Sequence, residues 1–238
     1  MQLCEKWRPR TLADVVGHRG ALSAIRKVIG RSGWDRDAFW LSGATGTGKT
    51  TIAQALATEV GCPPGSFGYE EMDGDRCGVN EVRSLQDQAG RGSLFESWRV
   101  VIVNEAHAMT PKAIQAWLTF LERLPARWLI VFTTTEQAED LFGNFHGPFM
   151  GRVKPISLKK PGLTEAFAAR LRQIARAEGM NGKPLSYYRR AVRANRCDLR
   201  TCIQSLEMGV LPDVERLSPL QQKAVRGLVA RSKKKARS

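Results

Sequence analysis

Three uninterrupted apolar runs punctuate the chain before residue 140: Ala38-Phe39-Trp40-Leu41, Val100-Val101-Ile102-Val103 and Leu129-Ile130-Val131-Phe132. Runs of this length without polar alternation predict strands buried on both faces, the pattern of a parallel sheet. Between and around them, apolar residues recur at helical spacing over 20–29, 51–60 and 79–89, and over 110–121, where Thr110 and Pro111 supply a cap and a first-turn proline. Weaker strand signals cover 67–72 and 151–158, and residues 5–16 read as a proline-pinned extended segment before a turn. From Thr164 onward the pattern is wholly helical. Phe167, Leu171, Ile174 and Ala175 share one face, Gly179 ends that helix, and further helices are expected at 185–194, 198–208 and 218–231. The chain thus divides into an α/β domain over 1–157, a small helical domain over 158–230 and a basic, disordered tail over 231–238. There is no internal repeat.

Composition narrows the class. At 238 residues the chain suits one domain of about 150 residues and a smaller one. Hydrophobic content is 42%, and no apolar run approaches the roughly 18 residues needed to cross a bilayer, so no membrane contact is expected. The first residues carry no basic-then-apolar signal, and an intracellular, cytoplasmic location follows as the expectation. Five cysteines without a C-x-x-C pair argue against a disulfide framework and against zinc, and predict reduced thiols. The net charge of +14 is uneven: residues 1–157 carry 18 Lys and Arg against 17 Asp and Glu, and the rest of the excess follows. Such an excess suits either a polyanion partner or a solvated basic surface with a loose tail.

The chemistry centres on Gly43-Ala44-Thr45-Gly46-Thr47-Gly48-Lys49-Thr50-Thr51, which fits G-x-x-x-x-G-K-[ST] between a predicted strand and a predicted helix. Glycines at 43, 46 and 48 let successive N–H groups turn inward, and the helix beginning near Lys49 adds its positive end, a cradle for the phosphates of ATP. Lys49 would stand on the β/γ-phosphate oxygens, and the Thr50 hydroxyl would take one Mg²⁺ position. The run 100–103 ends in Asn104-Glu105, at the sheet edge where ligands of open α/β folds collect. Glu105 is a candidate to orient or deprotonate the attacking water, the alternative being a surface carboxylate that merely ends a strand. A Walker B strand normally ends in Asp-Glu. Here Asn104 can accept a hydrogen bond from a Mg²⁺-bound water but brings no charge. The run 129–132 ends in Thr133-Thr134-Thr135, hydroxyls that either touch the γ-phosphate and its water or simply close a β-branched strand.

Glu5-Lys6-Trp7-Arg8-Pro9-Arg10, Asp14-Val15-Val16-Gly17, the phosphate loop, Gly78-Val79-Asn80-Glu81-Val82-Arg83, the segment 101–107, Thr133-Thr134 and Asp198-Leu199-Arg200 follow one another in the order found in sliding-clamp loader ATPases. The chain resembles the bacterial gamma/tau subunit and the small subunits of replication factor C over about residues 5–210. The resemblance implies an AAA+ P-loop module, a five-stranded parallel sheet with helices on both faces followed by a helical lid, with nucleotide between them. It further implies that Arg8, Pro9 and Val16 flank the adenine, that Thr134 is the sensor-1 residue and that Arg200 is the lid arginine. Arg152 falls where the family has an arginine finger directed at a neighbouring subunit's ATP, although Gly151 and Val153 replace its usual flanks. By the same resemblance Arg83 and Lys112 would contact the DNA backbone. The bacterial branch's zinc cysteines are absent, and the sequence leaves no room for the family's collar domain, which puts assembly by the usual route in question.

These features point to a Mg-ATP-dependent ATPase of clamp-loader type, acting on primed or duplex DNA with a sliding clamp, within an oligomer of itself or of related subunits. The alternative is an ATP-binding scaffold subunit that hydrolyses poorly because of Asn104. A superfamily 2 helicase, suggested by Asn104-Glu105-Ala106-His107, would need a second RecA-like domain for which the length leaves no room.

Overall fold

The computed structural model describes residues 2–90, 97–135, 145–180 and 182–211; the helix expected at 218–231 and the tail at 231–238 lie outside the described residues. The chain divides into two compact units, Arg8–Pro161, and Met1–Trp7 together with Gly162–Ser238. The division thus falls four residues beyond the expected boundary, and the first seven residues count with the helical unit.

The unit Arg8–Pro161 runs α2 (Arg19–Ile29), β1 (Arg36–Ser42), α3 (Lys49–Glu59), β2 (Tyr69–Asp73), α4 (Val79–Gly90), β3 (Arg99–Asn104), a 3₁₀ turn (Ala106–Ala108), α5 (Pro111–Glu122), β4 (Trp128–Thr134), α6 (His146–Met150) and β5 (Lys154–Ser157). The five strands are all parallel in the order β2-β3-β4-β1-β5. Successive side chains of a strand point to opposite faces, and both faces are covered. Phe39, Leu41, Val100, Ile102, Leu129 and Val131 pack with Leu22 and Ile25 of α2 and Ile52 and Leu56 of α3. Trp40, Val101, Val103, Ile130 and Phe132 pack with Val82 and Leu85 of α4 and Ile114 and Trp117 of α5. On this second face Trp117 meets Phe132 edge-on with ring centres 5.0 Å apart, and Phe132 meets Phe149 likewise at 5.1 Å. Burial of each such side chain contributes about 1.5–3 kcal/mol, which explains why the three central strands read as plain apolar runs.

The weaker strands begin later than their sequence signals. Phe67 is 90% exposed, and pairing starts where Val100 N donates to Gly68 O at 2.9 Å, so β2 begins at Tyr69. Gly151 and Arg152 close α6 through bonds to the carbonyls of Gly147 and Phe149, both 3.0 Å, which delays β5 to Lys154. The short α6, with Gly147 and Pro148 inside it, had no sequence signal.

The second unit contains α1 (Leu3–Lys6), α7 (Leu163–Ala177), α8 (Leu185–Ala194) and α9 (Leu199–Glu207). The face of α7 expected from spacing is the buried one, and α7 packs with α8, whose buried residues are Tyr188, Ala191 and Val192. Asp198 caps α9 by accepting from Thr201 N at 3.1 Å. The start of the chain, expected to be extended from residue 5, makes a helical turn instead. Its partners are distant in sequence: Leu3 N donates to Glu207 Oε1 at 3.2 Å, and Trp7 Nε1 donates to Glu178 Oε1 at 2.7 Å. Lys6 Nζ stands 2.7 Å from the same carboxylate, and the Arg170 guanidinium lies over the Trp7 ring at 5.3 Å. All five cysteines are free thiols, and burial pushes Cys77 up to about 11 and Cys202 up to about 12. Among the described residues no helix is long and apolar enough to cross a membrane.

The Lys6 and Trp7 contacts lower the Glu178 pKa. A carboxyl with a depressed folded pKa stabilises the fold above its unfolded value of about 4.3, and that contribution is lost as pH falls through the folded value. Glu178→Gln is therefore expected to be less stable than wild type at pH 7, with the two converging in acid. Denaturant unfolding of both proteins across pH 2 to 7 checks this; a constant difference over that range would contradict it.

Candidate functional site

The C-terminal ends of β1, β3 and β4 lie side by side. Ser42 is in register with Thr134, and Val103 with Phe132, so the loop after β1 emerges beside the end of β4, with the end of β3 one strand further on. Gly43 N donates to Thr134 O at 3.2 Å, and Leu158 N donates to Ser42 O at 2.7 Å. A side chain at Gly43 is excluded, since its Cβ would stand 2.5 Å from the Leu158 carbonyl oxygen. The loop over Ala44, Thr45 and Gly46 then turns into α3 through Gly48, whose φ of 89° lies in the left-handed region that favours glycine. No side chain caps α3. The first N–H groups of any helix lack a partner within the helix, which is what suits the start of α3 to an anion. Lys49 is only 7% exposed, and its ammonium donates to Gly43 O at 2.8 Å. Thr47 Oγ1 braces the loop from inside by donating to Ala44 O at 2.8 Å.

Asn104 is the meeting point. Its Oδ1 accepts from Thr50 Oγ1 at 3.0 Å and from Thr133 Oγ1 at 3.1 Å, joining the phosphate loop, β3 and β4. Its Nδ2 donates to Glu71 Oε1 at 2.7 Å, on β2. Glu71 Oε2 accepts in turn from Gln54 Nε2 at 3.0 Å, and Gln54 Oε1 accepts from Arg8 Nη1 at 2.8 Å. The structure thus brings together Arg8, Lys49, Thr50 and Asn104 with Thr133, named in the sequence only as one of three strand-end hydroxyls, and adds Glu71 and Gln54, which sequence reasoning did not single out. Only the strand register could have pointed to Glu71, one same-face position before the Asp73 and Asn104 pair.

Glu105 follows at the edge, exposed, with a φ of 48° that is uncommon outside glycine. Its Oε2 accepts from Thr135 Oγ1 at 3.3 Å and lies 3.4 Å from His107 Nδ1. That ring nitrogen is also 3.3 Å from Thr134 Oγ1, so the expected sensor hydroxyl and the expected catalytic carboxylate share His107. Thr133 and Thr134 are both fully buried, and as neighbours on a strand they serve opposite faces, one toward Asn104 and one toward His107.

The remaining candidates are dispersed. Pro9 and Val16 are half-buried, and His18 Nε2 lies 2.9 Å from Thr47 O, with its pKa lowered by burial. Arg152 precedes β5, an edge strand; its guanidinium pairs with Glu122 and donates to Pro148 O at 2.6 Å. Arg83 and Lys112 are exposed on α4 and α5, which pack against each other. Arg200 is exposed on the first turn of α9, in the helical unit.

The sheet, loop and strand ends define an AAA-type P-loop NTPase fold. Residues 39–156 match the family described as "ATPase family associated with various cellular activities (AAA)". The fold also matches that of the Thermotoga maritima RuvB Holliday junction branch migration motor, with a TM-score of 0.67 over 84% of this chain and 64% of that one, at 15% identity. In sequence, the chain is similar to clamp-loader subunits. It is 30% identical over 158 residues to DNA polymerase III subunit gamma/tau of Mycobacterium tuberculosis, covering 57% of this chain and 27% of that protein. It is 32% identical over 121 residues to the replication factor C small subunit of Haloarcula marismortui, covering 50% and 37%. With the corresponding protein of Halobacterium salinarum the figures are 27% over 178 residues, 74% and 53%. The chain thus carries a module of AAA-type fold that is similar in sequence to these subunits, and it spans about a quarter of the length of the mycobacterial relative.

Proposed function

We propose that the chain binds and hydrolyses Mg-ATP and uses that cycle to act on DNA, as part of an oligomer of clamp-loader type that engages a sliding clamp. The observation that carries this reading is the hydrogen bond from Thr50 to Asn104, which ties the phosphate loop to the strand end beside Glu105. The donors here, a hydroxyl and an amide carbonyl, suit a hard cation such as Mg²⁺ that keeps waters and phosphate oxygens as its other ligands. Among the described residues no group of three or more His, Cys, Asp or Glu could hold a metal ion by itself. Mg²⁺ held by Thr50 and Asn104 would neutralise charge on the phosphate oxygens.

Each residue then has a role. Lys49 gives up its loop carbonyls for phosphate oxygens, and Glu105 orients the attacking water and accepts its proton. Thr134 reports the γ-phosphate to Glu105 through His107. Arg8, Pro9 and Val16 border the adenine, and Arg200 keeps the nucleotide role that the clamp-loader resemblance gives it. Arg152 serves a neighbouring subunit's ATP, leaving Glu122 when it does so. Arg83 and Lys112 contact the DNA backbone. A second reading, an ATP-binding scaffold with little turnover, is favoured by one feature, the neutral Asn104 in place of a carboxylate.

Lys49→Ala is expected to weaken ATP binding at least tenfold, about 1.4 kcal/mol, whereas Glu105→Gln keeps ATP and loses turnover. Calorimetric titration together with phosphate release checks both. Unchanged affinity in a folded Lys49→Ala protein would refute the site, and a wild type inactive with every DNA and partner would favour the scaffold.

The DNA role has its own test. Arg83→Ala combined with Lys112→Ala is expected to weaken ATP-dependent binding to primed DNA and to lower its salt slope by about 0.9 for each phosphate no longer neutralised. Equal losses with and without ATP, or none, would count against clamp-loader-style engagement.

A further inference from the structure

We propose that Glu71 supplies the carboxylate that β3 lacks: a positioning residue that fixes the Asn104 amide and lends it negative charge for the metal side of the nucleotide site. This rests on the Mg-ATP reading above and extends it to a residue on a different strand.

Asn104 has two possible amide orientations, and its neighbours decide between them. Hydroxyls such as those of Thr50 and Thr133 can donate or accept, so they would tolerate either end of the amide. A carboxylate can only accept. Glu71 Oε1, 2.7 Å from Asn104 Nδ2, therefore compels the NH₂ to face β2 and the carbonyl oxygen to face Thr50. With Glu71 neutralised, the amide is free to turn its NH₂ toward Thr50, presenting partial positive charge where a cation is to be held. The 2.7 Å separation is that of a charge-assisted hydrogen bond, which polarises the amide and makes Oδ1 a stronger acceptor.

Glu71 is itself held in place. Gln54 Nε2 donates to its second oxygen at 3.0 Å, and so does the hydroxyl of Tyr69. Burial, and then the carboxylate beside it, push the Tyr69 pKa up, so the phenol stays a donor. Because Gln54 also accepts from Arg8, the chain of contacts links the residue assigned to the adenine side with Thr50 on the metal side. An ion pair at this exposed position would contribute little stability by itself. Three side chains arranged around one carboxylate are better explained by orientation than by stability.

The test is the gain in ATP affinity on adding Mg²⁺, measured by calorimetry with Mg²⁺ and with EDTA in four proteins: wild type, Glu71→Gln, Asn104→Asp and the double variant. In the wild-type background Glu71→Gln is expected to reduce the Mg²⁺-dependent gain about tenfold, the lower end for residues behind a metal ligand, while the affinity in EDTA is unchanged. In the Asn104→Asp background the sign reverses. There the new carboxylate faces Glu71 without a proton between them, and Glu71→Gln provides a donor, so the gain rises. Glu71 is exposed on an edge strand, so the variants are expected to fold, which thermal melting verifies.

A loss of the same sign in both backgrounds, a loss equal with and without Mg²⁺, or a wild type whose affinity ignores Mg²⁺ overturns the proposal. Lys49→Ala run alongside separates the two readings. If it binds ATP as wild type does, the phosphate-loop site itself fails; if it does not, failure of the sign reversal falls on Glu71 alone.

Discussion

A parallel sheet covered on both faces leaves only its strand ends for polar chemistry, and strand order decides what meets there. With β1 between β4 and β5, the loop after β1 is fastened from both sides, by Thr134 through the Gly43 amide and by Leu158 against Ser42. Gly43 has no space for a side chain because of that second fastening. Loop shape, and hence the direction of the first-turn amides of α3, is thereby imposed by neighbouring strands rather than by the glycine loop alone. The same order sets β3 next to β4 and β2 beyond it, which lets Asn104 reach Thr133 on one side and Glu71 on the other.

The sequence disclosed those parts whose causes are local. The central strands are legible because burial on both faces demands apolar runs, and α5 because Thr110 and Pro111 mark its start, the hydroxyl accepting from Ala113 N at 3.3 Å. The phosphate loop is legible because its backbone needs glycine at fixed spacing. Features with distant causes were not. The turn at Leu3–Lys6 is held by Glu178 and Glu207, both far along the chain. At the site, Lys49, Thr50 and Asn104 could be named from a motif, but Glu71 is an ordinary acidic residue on an edge strand until the register of β2 against β3 is known. Thr133 was passed over for Thr134, since adjacent hydroxyls look alike until alternation sends them to different partners.

Charge tells a related story. Nearly all of the excess positive charge follows residue 157, whereas the site depends on very few charges. A neutral residue at position 104 reads as a defect if only β3 is considered. With the Glu71 carboxylate one strand away and oriented by Gln54 and Tyr69, the site has its negative charge, displaced outward and transmitted through an amide. Whether the module turns over or only switches depends on how well that arrangement replaces a direct carboxylate.

The most direct test of the central claim, that the loop and the Asn104 junction form one nucleotide site, is a crystal structure with a non-hydrolysable ATP analogue and Mg²⁺. Lys49 Nζ is expected to leave the Gly43 carbonyl for phosphate oxygens, with Thr50 and Asn104 on the metal side and the Asn104 amide still turned toward Glu71. An analogue bound away from residues 43–51, or Lys49 still on the Gly43 carbonyl with the analogue in place, would contradict the account.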